Sequence, residues 1–259
     1  MLKEFLESKG IGNQKDKFGV YLYMLANFFT LQPYTSRLMN EHSLHSDIKE
    51  WYSIPGDNFE VKVDNFVIDV ARGALLIEIQ TRNFSAIKRK LTSLVEKHRV
   101  RLVYPIPVRK WIIRITERSD IISRRKSPRK GKLIDLFYEL VSIPELIDAK
   151  NFSLEVLVIE EEEVRCNDGK GSWRRRGVSI KDRRLINVTD RVLFNNSKDF
   201  QSFLPAGLDE LFTNKMLARK TGISISLARK VTYCLRKMGI IVNVGKIGKE
   251  LMFRRIDTD

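Results

Sequence analysis

Cysteine and histidine are scarce in this chain of 259 residues, and their scarcity limits the metal sites it can form. The two cysteines, Cys166 and Cys234, have no CxxC pair and no nearby histidine, which excludes a zinc site of the finger type. Isolated thiols are typical of a reducing compartment, so we expect a cytoplasmic location. The three histidines are too few for a histidine-rich metal site, so a metal would need carboxylate ligands.

Long hydrophobic runs are also missing, and this excludes a membrane-spanning helix. Such a helix needs roughly 18 or more consecutive apolar residues. The longest apolar segment covers only residues 20–26 and carries no signal-peptide cleavage pattern. We expect a core helix there, over about residues 18–30. With 43% hydrophobic residues, the chain can form a sizeable core in one large domain or two ordinary ones.

Acidic residues are the minority among the charged side chains, with 32 Asp and Glu against 47 Lys and Arg. The formal net charge is +15, and the isoelectric point is about 9.8. Such an excess predicts a polyanionic partner, nucleic acid first and an anionic membrane surface second. Because the sequence has no membrane-spanning segment, we expect nucleic acid and no membrane.

The most informative stretch is a predicted β-hairpin around Gly73 and Ala74. A two-residue loop that begins with glycine, between two β-rich runs, is typical of a type II′ turn. Counting back along both strands places Asp69 opposite Glu78 on one face, and Gln80 follows on that face by alternation. Two facing carboxylates repel unless a cation neutralises them, and hard oxygen ligands at this spacing suit Mg²⁺ or Mn²⁺.

An alternative places Asp69 and Glu78 on the solvated side of an amphipathic sheet, where each carboxylate is hydrated. The opposite faces of both predicted strands are apolar, and Val67, Ala71 and Leu76 add apolar side chains to the carboxylate face itself. Strands that are apolar on both faces are usually buried on both faces. The pattern therefore favours a site.

A predicted helix over residues 36–52 precedes the hairpin, and its apolar stripe contains Glu41 and His45. A buried carboxylate needs a partner, since burying an unpaired charge is unfavourable. Alternatively, Glu41 lies in the first turns, where the helix dipole favours acids. We interpret His45 as a packing or orienting residue rather than a metal ligand. The other predicted elements are a strand at 59–63, a helix from Asn83 to about Arg99, and strands at 100–104 and 111–115.

This order of helix, strand, hairpin, helix and strand, with its inward acid and two hairpin carboxylates, resembles the core of the PD-(D/E)xK phosphodiesterase superfamily. The resemblance implies an α/β fold with a mixed, restriction-endonuclease-like central sheet flanked by helices. It implies Mg²⁺ or Mn²⁺ held by Asp69, Glu78 and the backbone carbonyl of Ile79, with Glu41 as an additional acid. Gln80 stands at the family's lysine position, a Glu-x-Gln variant in which the amide could position the attacking water.

Two basic segments follow this core. Residues 123–132 are expected to form a loop because of their Gly, Pro and Ser content, and residues 168–177 form a second. Guanidinium groups and backbone amides there can hold phosphates, although a merely solubilising loop is the alternative. Trp173 could stack on an unpaired base or pack against the sheet.

The acidic run 160–163 is expected at a strand end or turn. The candidate DNA-binding residues are Arg124, Arg125, Lys126, Arg129, Lys130, Arg174, Arg175 and Arg176.

The last part of the chain resembles a winged helix-turn-helix domain over about residues 205–256. A short helix at 209–212, a helix capped by Thr213, a helix capped by Ser224 or Ser226, and a basic strand-turn-strand carry the resemblance. Winged helices also serve as protein docking modules, but the positive charge of the third helix favours DNA. Its candidate contacts, with those of the wing, are Ser226, Arg229, Lys230, Tyr233, Arg236, Lys246 and Lys249.

The sequence thus predicts a nuclease domain over residues 1–200 and a DNA-binding domain over residues 201–259. The predicted activity is that of an Mg²⁺-dependent DNA endonuclease acting on duplex or branched DNA, with a homodimer expected if both strands are cut. Its predicted catalytic residues are Glu41, Asp69, Glu78 and Gln80. The alternatives are a non-catalytic DNA-binding regulator with a degenerate nuclease-like domain, and an RNA-processing factor.

Overall fold

A computed structural model describes residues 43–256 of the chain. Glu41 and the helix predicted over residues 18–30 lie outside this range. The described residues form an α/β structure with a mixed seven-stranded sheet, flanking helices and a second sheet of three strands. The predicted α/β class is therefore confirmed. No helix in this range is long and apolar enough to cross a membrane.

The helices and strands are numbered here in chain order within the described range. They are α1 (Leu44–Tyr52), β1 (Asn58–Val63), β2 (Phe66–Arg72), β3 (Leu75–Ile79), α2 (Phe84–Val95), β4 (Arg99–Ile115), β5 (Ile121–Lys126), α3 (Phe137–Leu140), β6 (Phe152–Asn167), β7 (Val178–Phe194), β8 (Leu211–Thr213), α4 (Asn214–Thr221), α5 (Ile225–Lys237), β9 (Ile241–Ile247) and β10 (Glu250–Arg255). Short 3₁₀ turns cover Leu133–Leu136, Pro144–Asp148, Trp173–Arg175 and Ser197–Phe203.

The large sheet has the order β1-β2-β3-β4-β6-β7, and β5 also pairs with β4. The first three strands form an antiparallel meander, whereas β3, β4 and β6 run parallel to one another. Parallel neighbours need a crossover, and α2 provides the one between β3 and β4. From α1 to α2 the elements follow the order that the sequence predicts. The two strands predicted at 100–104 and 111–115 are wrong, because β4 continues through Pro105 and Pro107 as one strand.

The hairpin between β2 and β3 has the predicted tip. Gly73 has a φ of 56°, the left-handed value that the first residue of a type II′ turn requires. The strands pair Arg72 with Leu75 and then Val70 with Ile77, as expected from the two-residue loop.

The helices α1 and α2 cover opposite faces of the large sheet. Ile48 of α1 belongs to a buried cluster with Ile77 and Ile79, whereas Leu91 of α2 belongs to another with Leu76. Alternate residues of β3 point to opposite faces, so this central strand is buried on both sides. The helix predicted from residue 36 begins at Leu44, where the Ser43 side chain accepts the first capping hydrogen bond.

The three-stranded sheet has the order β8-β10-β9 and packs with α4 and α5. Thr213 caps α4 and Ser224 caps α5, as the sequence predicts. The short helix predicted at 209–212 is wrong. Leu211–Thr213 forms β8 instead, because this segment pairs with β10, where Phe212 lies opposite Phe253.

Residues on both sides of the predicted domain boundary at 200/201 contribute to the same hydrophobic cluster. Phe137 and Phe194 precede the boundary, and Phe203, Phe212 and Leu227 follow it. The rings of Phe137 and Phe203 are in edge-to-face contact, with centroids 4.9 Å apart. The division into two domains stays a prediction.

Two sequence-based expectations about charged segments are wrong. Arg124, Arg125 and Lys126 lie in β5 and not in a loop, because residues 121–126 pair with the end of β4; Arg129 and Lys130 follow the strand. The acidic run at 160–163 lies in the middle of β6 and not at its end. It is accommodated there because cations on β4, β5 and β7 pair with its carboxylates.

Candidate functional site

The carboxylates of Asp69 and Glu78 lie where the β2–β3 ladder ends. The last paired residues are Val70 and Ile77. In a continued antiparallel ladder the Ile79 amide would bond to the main chain of β2. It donates instead to Asp69 Oδ2, at 2.7 Å. The predicted face-to-face pairing therefore stops one residue short, and the Asp69 side chain replaces a main-chain acceptor beside β3.

Asp69 is also fixed from α1. His45 Nε2 lies 3.1 Å from Asp69 Oδ2, and this hydrogen bond raises the pKa of His45 although burial opposes the shift. For Asp69, burial would raise the pKa, but the hydrogen bonds from His45 and the Ile79 amide outweigh it and lower the pKa. Asp69 is therefore ionised at neutral pH. His45 orients this carboxylate, in agreement with its predicted role.

Glu78 has the opposite titration behaviour. Its side chain is almost fully buried, and burial together with the negative charge of Asp69 raises its pKa to about 7. The hydrogen bond from Lys90 opposes this shift and does not cancel it. Two carboxylates within electrostatic reach thus differ in proton affinity, and Glu78 can gain or lose a proton near neutral pH.

Lys90 of α2 supplies the cation beside Glu78. Its Nζ donates to Glu78 Oε2 at 2.6 Å and to the main-chain oxygen of Val67 at 2.5 Å, and only 17% of its side chain is exposed. Lys90 is not among the site residues that the sequence predicts. The available signal is its position on the helix, where it borders the apolar stripe of Leu91 and Leu94.

The Gln80 amide group makes no hydrogen bond to either carboxylate within residues 43–256. Its Nε2 donates to the main-chain oxygens of Arg82, at 2.5 Å, and Asn83, at 3.2 Å. The Gln80 main-chain amide still donates to the Val103 carbonyl of β4, at 2.9 Å, and the chain then turns into α2. Asn83 makes no side-chain capping bond either. The Glu139 carboxylate accepts the Phe84 amide at 3.1 Å in its place.

Asp69 and Glu78 are the residues that could hold a metal ion. Their second oxygens, Asp69 Oδ1 and Glu78 Oε1, make no hydrogen bond within residues 43–256, and carboxylate oxygens are the ligands Mg²⁺ prefers. The same range contains no group of three or more His, Cys, Asp or Glu side chains arranged around a common point. Two carboxylates with water fit Mg²⁺, which usually keeps several waters. The predicted ligand Glu41 lies outside the described range, and the Ile79 carbonyl stays a prediction.

Two of the predicted DNA-binding residues in β5 and in loop 168–177 already bind other groups of the protein. Arg124 is already engaged, since its Nε donates to Glu162 Oε1 at 2.8 Å and its guanidinium lies over the Trp111 ring. Arg175 donates to the Val178 carbonyl. The remaining residues of this set are exposed, and they are Arg125, Lys126, Arg129, Lys130, Arg174 and Arg176.

The predicted DNA contacts of the C-terminal part converge on a groove of about 380 Å³ between α5 and the β9–β10 hairpin. Arg229, Tyr233 and Arg236 line it from α5, and Lys249 lines it from the hairpin. Ser226 and Lys246 lie on exposed surface, and Lys230 is half-buried on α5.

Comparison with known proteins identifies a family whose description names no activity. The model of a family described as a domain of unknown function (DUF8091) matches residues 42–195, a range that contains every strand of the large sheet and the residues Asp69, Glu78 and Lys90. An uncharacterized protein of Treponema pallidum (strain Nichols) is 28% identical over 222 residues, which cover 85% of this chain and 88% of the relative. No solved structure matches the chain. Because the family model matches more than half of its length, this chain belongs to the DUF8091 family.

Proposed function

We propose that this protein is a metal-dependent DNA endonuclease whose active centre contains Asp69, Glu78 and Lys90. One observation carries the proposal. Two neighbouring carboxylates, Asp69 with a lowered pKa and Glu78 with a raised pKa, lie beside the largely buried ammonium group of Lys90. Perturbed carboxylates beside a specific charge partner are typical of functional sites. The order of elements from α1 to β4 agrees with the resemblance to the PD-(D/E)xK superfamily and supports the same proposal.

Mg²⁺ or Mn²⁺ held by Asp69 and Glu78 would lower the pKa of a bound water and offset charge on the phosphate. Asp69 stays ionised because His45 and the Ile79 amide hold its Oδ2. Glu78 is protonated at low pH and ionised at high pH, so it would hold the metal ion in its ionised form, which a bound cation would in turn favour.

Lys90 takes the electrostatic role that Gln80 leaves unfilled. Its ammonium group lies at the carboxylates, whereas the Gln80 amide is bonded to the turn that leads into α2. A positive charge at this place stabilises the negative charge that develops on a phosphate under attack.

The C-terminal part would bring the centre to DNA. The order β8, α4, α5 and the β9–β10 hairpin supports a winged helix-turn-helix, with α5 as the helix in the major groove. Cutting both strands requires two centres, so a homodimer belongs to the proposal. A cytoplasmic location fits the two free, buried cysteines.

A second candidate function is that of a non-catalytic DNA-binding regulator. The Lys90–Glu78 ion pair favours it, because the ammonium already neutralises the carboxylate that a metal would otherwise neutralise. The described range also offers no third metal ligand of the His, Cys, Asp or Glu type.

A cleavage screen separates these candidates. The full chain is incubated with duplex DNA, branched DNA, single-stranded DNA and RNA, in Mg²⁺ and in Mn²⁺. We expect strand scission of DNA that is lost in Asp69→Ala and Glu78→Ala while binding persists. Glu96→Ala, at the exposed end of α2, is the matched control and cleaves normally. Binding without scission in either metal establishes the regulator, and preferred scission of RNA establishes an RNA-processing factor.

A further inference from the structure

The loop that joins β6 and β7 presents an exposed tryptophan. The Trp173 side chain is 83% exposed, the largest exposure among the large hydrophobic side chains of residues 43–256. Tryptophan is highly buried on average in folded proteins. The alternative in which Trp173 packs against the sheet is therefore wrong. Its ring contacts the Arg174 guanidinium, which lies 5.4 Å from the ring centroid.

This loop, residues 168–177, is held in a defined conformation. The Gly171 amide donates to the Gly177 carbonyl at 2.9 Å, and Asp168 accepts bonds from the Lys170 amide and the Ser179 hydroxyl. A Cβ atom on Gly171 would lie 1.9 Å from the Val178 oxygen, so the chain closes this tightly only with glycine. A preorganised loop loses little conformational entropy when a ligand binds.

The surroundings of Trp173 are positively charged. Lys170, Arg174 and Arg176 are exposed around it, and the Arg174 guanidinium covers one face of the ring. With 83% of Trp173 exposed, the ring is accessible to a flat ligand. An aromatic ring among cations that can reach phosphates is the arrangement by which proteins bind unpaired nucleotides.

The loop lies far from the carboxylates. Glu78 pairs with Leu102 of β4, whereas Ile115 at the other end of β4 pairs with Cys166, next to the loop. At about 3.3 Å per residue, the strand between Leu102 and Ile115 spans about 40 Å. This distance corresponds to roughly 12 base pairs of duplex DNA at about 3.4 Å per pair.

We propose that loop 168–177 binds unpaired bases of a nucleic acid, with Trp173 stacked on a base and with Arg174 and Arg176 on neighbouring phosphates. The proposal rests on the proposed function for the class of partner and not for the cleavage reaction. It adds a substrate class, namely DNA with a single-stranded portion about one helical turn from the part of the duplex at Asp69 and Glu78.

The test compares three labelled oligonucleotides by fluorescence anisotropy: a blunt duplex, the same duplex with a single-stranded tail, and the tail strand alone. Each is titrated with the full-length wild type and with Trp173→Ala. Because stacking on one base contributes a factor of about 10, we expect the variant to bind the tail and the tailed duplex about 10-fold more weakly. Its affinity for the blunt duplex changes less than about twofold. Trp173→Phe keeps an aromatic ring and retains most of the preference.

Arg174→Gln is the charge control. Loss of a phosphate contact beside the stacked base weakens the binding of the tail and the tailed duplex and reduces the salt slope of that binding by about one, whereas Trp173→Ala leaves the salt slope unchanged. If Trp173→Ala weakens the blunt duplex as much as the tailed one, lowers the salt slope, or changes nothing, the base-binding proposal is wrong.

Vesicles containing phosphatidylserine test whether the loop binds a membrane surface instead. A blue shift of tryptophan emission that requires Trp173 and occurs with vesicles, but not with oligonucleotides, also overturns the proposal.

The outcomes separate this proposal from the nuclease. If no substrate is cut and Trp173→Ala still loses the tailed oligonucleotide selectively, the loop binds bases and the nuclease proposal fails. If DNA is cut and Trp173→Ala discriminates nothing, the nuclease stands and the loop proposal fails.

Discussion

Lys90 Nζ of α2 lies 2.6 Å from Glu78 Oε2 of β3, and the same ammonium group binds the Val67 carbonyl of β2. One side chain thus connects the crossover helix to both strands of the hairpin. Because Glu78 is buried, this ion pair has little competition from solvent. The positive charge that Gln80 cannot supply reaches the carboxylates from the next helix.

Removal of the Lys90 charge tests its proposed role. In Lys90→Ala we expect single-turnover cleavage to fall by about 100-fold or more, the usual effect of losing one preorganised electrostatic group. Lys88→Ala changes an exposed lysine on the same helix and leaves the rate unchanged. Circular dichroism controls for folding. Wild-type cleavage rates in Lys90→Ala would exclude a catalytic lysine at this position.

Gln80 is predicted to be structural. Its amide donates to the carbonyls of Arg82 and Asn83, so Gln80→Ala removes two hydrogen bonds from the turn before α2. We expect the free energy of unfolding in urea to fall by about 1–2 kcal/mol. The cleavage rate per folded molecule should not change. Arg82→Ala, which removes only an exposed side chain of the same turn, is the control. A large loss of rate without loss of stability would restore Gln80 as a catalytic residue.

The hairpin was predictable because its determinants are local. Gly73 fixes the turn, and the turn fixes the register of the neighbouring pairs. For Gln80, alternation along the strand does not reveal the side-chain partners, which are the Arg82 and Asn83 carbonyls of the following turn. Lys90 could not be assigned, because its partner is set by how α2 crosses the sheet.

The buried charges of β6 show a similar limit. Glu161 and Glu163 look solvated in the sequence. Lys110 of β4 and Arg183 of β7 become their partners only when these strands pair, and Arg165 of β6 itself also pairs with Glu163. Local sequence identifies a charged strand but cannot say that its charges are compensated. The sequence therefore predicts the acidic run at a strand end, although it lies in the middle of the longest parallel pairing of the sheet.

The titration of Glu78 gives a pH-dependent stability. Its pKa is about 7 in the folded protein and 4.5 ordinarily, so between these values the native state binds more protons than the unfolded chain. The free energy of unfolding therefore falls as the pH rises from about 4.5 to about 7, by about 3 kcal/mol in total. In Glu78→Gln this component disappears. The His45–Asp69 pair titrates in both proteins. The difference between their urea-denaturation curves therefore reports Glu78 together with its smaller effect on the pKa of His45.

Metal binding should restore the stability that is lost when Glu78 ionises. At pH 8, with Glu78 ionised, added Mg²⁺ or Mn²⁺ is expected to stabilise the wild type, and removal of the ion with EDTA should return it to its initial stability. Glu78→Gln shows a much smaller response, because one carboxylate ligand is lost. Equal stabilisation of both proteins would mean that the ion binds elsewhere.

Lys110 is predicted to be the most costly lysine to remove from the large sheet. Its Nζ lies 2.8 Å from Glu161 Oε1 and 2.8 Å from Glu163 Oε2, and Glu161 is fully buried. Lys110→Met removes one cation from each carboxylate, while Arg183 stays with Glu161 and Arg165 stays with Glu163. We therefore expect a loss of about 1.5–3 kcal/mol in the free energy of unfolding, the usual contribution of hydrogen bonds to charged groups. Arg109→Ala is the matched control. Arg109 is about half exposed where it pairs with Glu160, and its loss should cost less than about 1 kcal/mol.

A double replacement distinguishes charge burial from general loss of packing. In Lys110→Met with Glu161→Leu, one buried carboxylate and its cation are exchanged for apolar groups, which is often neutral or stabilising for a buried pair. We expect part of the stability to return. The Arg183 guanidinium, which donates to Glu161 Oε2 at 2.6 Å, limits this recovery because it loses its partner. If Lys110→Met and Arg109→Ala cost the same, the compensated charges of β6 do not stabilise this part of the sheet.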